Sequence, residues 1–310
     1  MADMSTWRRL GRGVKISVVL GVLMFVGALS DGQWLQSLAG LALAAAGAWV
    51  SYTRIRTMRT ECEPWPWPPE FRAVVEAMAR PVDPTPPARI VPPHEKASLV
   101  ARVTTTHEGL ATLIADKPSA WPWAVFASVL VQRRNDVTDR LRMCAAGYQP
   151  RPGLPPLSGQ EYAQTALAAM TAVADLTEQI DQFMLSPAFT GAFGKHNGDD
   201  TADAEAIMAV ANRVMDYHEE FLAQAEACLQ TPVRSEAQVF VADMGAFTLR
   251  PLAGFEEFIA LMCARIGEIQ DVLPYAAADA TVWFEDVTLT MSLPPDLSER
   301  IGAHFRRFNQ

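Results

Sequence analysis

Two apolar runs near the N-terminus constrain this chain more than any other feature. Residues 14–30 (VKISVVLGVLMFVGALS) carry one charge, Lys15 at the edge, and residues 34–52 (WLQSLAGLALAAAGAWVSY) carry none. A helix needs about 20 apolar residues to cross hydrocarbon, and each run is near that length. Asp31, Gly32 and Gln33 alone separate them, so two helices there must form an antiparallel hairpin. Arg8, Arg9, Arg12 and Lys15 lie at or before the first run, Arg54, Arg56 and Arg59 follow the second, and the turn has no cation. Cations stay on the cytoplasmic side, so the expected topology is a hairpin in the cell (inner) membrane with both termini cytoplasmic. Ala28-Leu29-Ser30 after a basic start also resembles a signal-peptide cleavage site, but the second run and its basic stop favour the hairpin.

The second run has a smooth face of Gly40, Ala44, Gly47 and Ala48. Small residues let helices approach closely in lipid. The face therefore serves either contact with the first run of the same chain or a homo-oligomer through those four residues.

Residues 54–93 read as a basic and then proline-rich linker. Ten of the 22 prolines fall between Pro64 and Pro93, and proline removes donors and fixes φ. A short helix is expected over 70–80 and an extended spacer over 81–93. Trp65 and Trp67, just past the membrane exit, are expected to anchor at the interface.

Residues 94–310 form the expected helical-bundle domain. Candidate helices cover 94–115, 121–146, 158 to about 184, 201–229 and 252–273. Ser158 with Glu161 has capping-box spacing. Tyr162, Ala166, Ala169, Val173, Leu176, Ile180 and Phe183 step alternately by four and three. Ile207, Ala211, Val214, His218, Phe221, Ala225 and Cys228 do the same. Such stripes predict left-handed bundle packing. Near the C-terminus Val287, Leu289, Met291 and Leu293 alternate with polar residues, which predicts a half-buried strand. Weak partners for it are 238–242, 89–91 or a second copy. A final helix follows from Pro295. The expected fold class is thus membrane-anchored and mainly α, with a small β element.

Charge narrows function. Residues 1–60 hold seven cations and two acids, a net of +5, whereas the rest holds 19 basic and 33 acidic residues, a net of −14. That sign opposes nucleic-acid binding. Cys62, Cys144, Cys228 and Cys263 are far apart, the spacing of free thiols rather than of a disulfide framework or zinc ribbon.

No catalytic, cofactor or metal site is assigned. His107 and His218 lie on apolar stripes, yet neither has the glutamate three residues earlier that carboxylate-bridged metal bundles use. Each is expected to be a hydrogen-bonded histidine, either buried or at the boundary. Asp175, Glu178 and Asp181, like Glu219, Glu220 and Glu226, read as solvated faces. Arg133-Arg134 and Arg306-Arg307 read as surface charges. Residues 191–195 (GAFGK) lack phosphate-loop spacing. No serine sits in a G-x-S-x-G elbow. An anchor, a spacer and a bundle imply an interaction, sensing or scaffolding protein with the lipid bilayer and a protein as partners. The alternative is an oligomeric membrane effector or pore component gated by its cytoplasmic domain.

Overall fold

A computed structural model describes residues 65, 67–84, 101–194, 201–272, 289 and 295–308. All of these belong to the unit Trp65–Gln310. In chain order the helices are α1 (Pro69–Met78), α2 (His107–Asp116), α3 (Trp121–Asp136), α4 (Thr138–Ala145), α5 (Gly159–Met184), α6 (Pro187–Ala192), α7 (Ala204–Gln230), α8 (Gln238–Val272) and α9 (Pro295–Phe308). The fold is mainly helical, as its periodicity predicts. The candidate spans 14–30 and 34–52 lie outside the described residues. Among the described residues no helix is long and apolar enough to cross a membrane.

The two striped helices form as expected. Ser158 caps α5: its hydroxyl accepts from the Glu161 N–H at 3.3 Å and its own N–H donates to Glu161 Oε2 at 2.7 Å. The inward row of α5 is buried from Tyr162 to Ile180. Asp203 caps α7, whose predicted stripe is buried throughout. α7 is the central helix and packs against α3, α4, α5, α6 and α8.

Four expectations change. Residues 101–106 are not helical, and α2 starts only at His107 with Thr106 as its cap. The predicted helix 121–146 divides at Val137, where φ −99° and ψ 9° leave the α region. The helix expected from 252 starts at Gln238 and so includes 238–242, a weak strand partner in the sequence; α8 runs for 35 residues with Pro251 inside it. Phe240, Val241, Met244, Ala246 and Leu249 are all buried, so this half of α8 has no polar face to display a period of 3.6, and burial overrides local preference. Finally, the expected linker contributes to the core through Trp67, Phe71, Val75 and Met78. Trp67 Nε1 donates to the Ala145 carbonyl at 2.8 Å. Trp65 packs on Tyr148 at 5.8 Å between centroids and covers Gly147, whose φ of +88° suits glycine and where a Cβ would collide with the indole. Asn135 holds the Val82 backbone at both ends, by 2.8 and 3.0 Å bonds. These tryptophans are therefore bundle contacts.

Among the described residues the β-type pairing is one isolated parallel bridge, Leu157 with Val233. Of the predicted strand 287–293 only Leu289 is described, packed against the core. The possible partner at 89–91 lies outside the described residues.

Candidate functional site

Polar groups buried between helices are the first place to look for chemistry. Arg134 on α3 is fully buried, contrary to its reading as a surface charge. Its Nε meets Glu256 Oε1 of α8 at 2.8 Å, Nη1 donates to Thr138 Oγ1 at 3.1 Å and Nη2 to the Met78 carbonyl at 2.9 Å. Burial pushes the Glu256 carboxyl up, and Arg134 opposes this only in part. The ion pair thus ties α1, α3 and α8 together.

His218 is buried as its stripe predicts, but neither ring nitrogen has a hydrogen-bond partner, which corrects the expectation of a bonded histidine. Phe255 stands edge-on at 5.1 Å. Burial, followed by the cations Arg134, Arg140 and Arg133, pushes its pKa down to about 3. An imidazole held neutral near pH 7 by burial and left without an orienting acceptor lacks the parts of a general base. His107 is exposed, with Nδ1 3.2 Å from Gln132 Oε1. Among the described residues no group of three or more His, Cys, Asp or Glu could hold a metal ion. His94 and His196 lie outside them.

The acids of α7 are not simply solvated. Arg133 reaches Asp216 at 3.1 Å and Glu219 at 2.5 Å. Arg140 grips Glu226 through two bonds of 2.9 and 2.8 Å. These pairs dock α3 and α4 on α7. A second polar cluster joins α9 to α8: Asp243 accepts from Arg300 at 3.0 Å and lies 2.9 Å from His304 Nε2, while Phe240 stacks on the imidazole at 4.8 Å. Burial raises the Asp243 carboxyl, but the bonds from His304 and Arg300 outweigh it and hold it below its usual range.

The feature with the shape of a binding site is an apolar groove of about 640 Å³ between α5 and α8. α5 supplies Met170, Val173 and Ala174, and α8 supplies Phe247 and Pro251. Leu185, which caps the C-terminus of α5, stands at one end with 83% of its surface exposed. Pro251 has no N–H, so the Phe247 carbonyl four residues earlier loses its helical donor. Glu178, Asp181 and Gln182 form the polar rim, and Gln182 Nε2 donates to Glu178 Oε1 at 3.0 Å. A more open pocket of about 620 Å³ lies beside α2. Polar groups on its wall are engaged in local structure, with Thr106 Oγ1 accepting from Gly109 N at 3.1 Å.

The groove thus recruits two acids that the sequence places on a solvated face, Glu178 and Asp181, while Asp175 is exposed outside its lining. The groove itself escaped sequence reasoning. Its trace there is a second apolar series on α5, Leu167, Met170, Ala174 and Leu185, overshadowed by the inward stripe. Gly40, Ala44, Gly47 and Ala48 lie outside the described residues. Comparison with protein-family models, curated proteins and solved structures gives no match for the chain.

Proposed function

We propose that the protein is a membrane-anchored cytoplasmic interaction or scaffolding protein that receives a protein partner in the α5–α8 groove. The observation that carries this reading is the apolar lining opening onto Leu185 at 83% exposure. Contiguous apolar surface rimmed by polar residues is a mark of an interaction site. The anchor rests on the apolar runs 14–30 and 34–52 and on their basic flanks. The effector alternative rests on the Gly40, Ala44, Gly47 and Ala48 face, through which chains would associate.

A photo-crosslinking amino acid placed at position 185 of the full chain in its native membranes tests the docking reading. A control goes at Leu154, also exposed at 56%. Position 185 is expected to yield one defined adduct, identified by mass spectrometry and lost in an Ala174→Trp variant that melts normally. Identical adducts at 185 and 154, or an adduct indifferent to Ala174→Trp, would sink it.

A further inference from the structure

We infer that the occupant of the groove is a cationic amphipathic helix of a partner protein, laid along α5; this rests on the docking reading above. Length argues for a helix. From Met170 to Leu185 the α5 wall extends about 22 Å at 1.5 Å per residue, four turns of a partner helix. Leu167, half a turn or more beyond Met170 on the same side of α5, is 58% exposed and prolongs the apolar strip. The groove is walled by α5 on one side and by α8 on the other.

Surface chemistry argues for apolar anchors at helical spacing. Met170, Val173, Phe247 and Pro251 line the groove, and Leu185 at its end and Leu167 beyond it are exposed; an amphipathic helix meets such a surface with residues at i, i+3, i+4 and i+7 on one face. Electrostatics sets the sign of the other face. Glu178 and Asp181 are the acidic residues of the lining, which contains no Lys or Arg. Among the described residues no cation pairs with either acid. Asp175, one turn from Glu178, adds a third negative charge on α5, within a region that carries a net of −14 after residue 60. Lysines or arginines flanking an apolar stripe would meet the rim while leucine-sized side chains fill the floor. Complementary charge of this kind sets specificity and association rate more than raw affinity.

The test uses the full chain in phosphatidylcholine nanodiscs, with empty nanodiscs as blank. The probe is a fluorescein-labelled Leu/Lys amphipathic peptide of roughly four to five helical turns, compared by anisotropy with a Leu/Glu peptide of identical apolar face. The Leu/Lys peptide is expected to bind saturably and to weaken as salt rises, and the Leu/Glu peptide is expected not to compete. Glu178→Lys with Asp181→Lys should weaken the Leu/Lys peptide by about tenfold or more, the effect of turning two rim attractions into repulsions. Ala174→Trp should abolish binding by occupying the groove, and melting curves show that each variant is folded. Equal binding of both peptides, or indifference to the charge reversal, overturns the cationic helix. Displacement of the peptide by oleate together with that indifference overturns it in favour of a lipid chain. A partner adduct at position 185 in native membranes would survive either result, so the two failures are distinguishable.

Discussion

His218 is the residue whose environment is least balanced. Its imidazole is enclosed, both nitrogens lack partners, and the charges that act on it are those of Arg134, Arg140 and Arg133. An unsatisfied buried polar group costs about 1–3 kcal/mol. The pKa near 3 in the folded chain lies below the ordinary 6.5, so between those values the unfolded chain binds more protons. Stability contributed by this group is therefore complete above pH 6.5 and is lost as pH falls toward 3. A shift of that size corresponds to roughly 5 kcal/mol at most. His218→Leu, close in volume, is expected to stabilise the protein by about 1–3 kcal/mol at pH 7 and to flatten urea-melt stability between pH 6.5 and 3. An unchanged pH profile in the variant would assign the acid sensitivity to other groups. The stripe made the burial of His218 legible. The missing acceptor was not, because it depends on what α8 places opposite, and Phe255 belongs to a different helix.

At the scale of elements, α5 and α7 were legible because each has one buried face and one wet face, and because Ser158 and Asp203 mark their starts. The same logic makes a quantitative claim. Leu176→Ala on α5 and Ile266→Ala on α8 are each expected to destabilise the protein by about 2–5 kcal/mol, the cost of emptying a packed site. Glu178→Gln is expected to change a melt by less than about 0.5 kcal/mol, as exposed substitutions do. Similar small losses at all three positions would mean that the stripes do not face the core. The first half of α8 was illegible for the opposite reason: with almost every side chain buried, nothing alternates. Arg134 misled for a related reason. An arginine beside Arg133 reads as solvent-facing, yet one of the pair turns inward to Glu256 while the other turns to Asp216 and Glu219. Such choices are fixed by partners more than 80 residues away in sequence. The groove was hidden because its two walls come from separate helices.

At the scale of the whole molecule, the sequence gives the mainly helical fold and its acidic surface, but it places the start of the core too late. Proline density marks a linker by local rule, and contacts such as those of Trp65 with Tyr148 and of Trp67 with Ala145 overturn that rule. The orientation of the chain has a direct check. A reporter fused after Gln310 is expected to be active only if it is a type that works in the cytoplasm; activity of a periplasmic reporter there would reverse the topology. One packing detail has a kinetic side. Cys144 on α4 and Cys228 on α7 are buried thiols whose pKa values are pushed up to about 12 by desolvation, while Cys263 on α8 is half-buried with its own near 11. Only thiolate reacts with alkylating reagents, so the folded chain hides two of its sulfurs from them. Modification of Cys144 and Cys228 must wait for the bundle to open around each one. The protein thus carries two internal clocks, and the lag between their alkylation rates measures whether α4 lifts away before α7 or both let go in a single event.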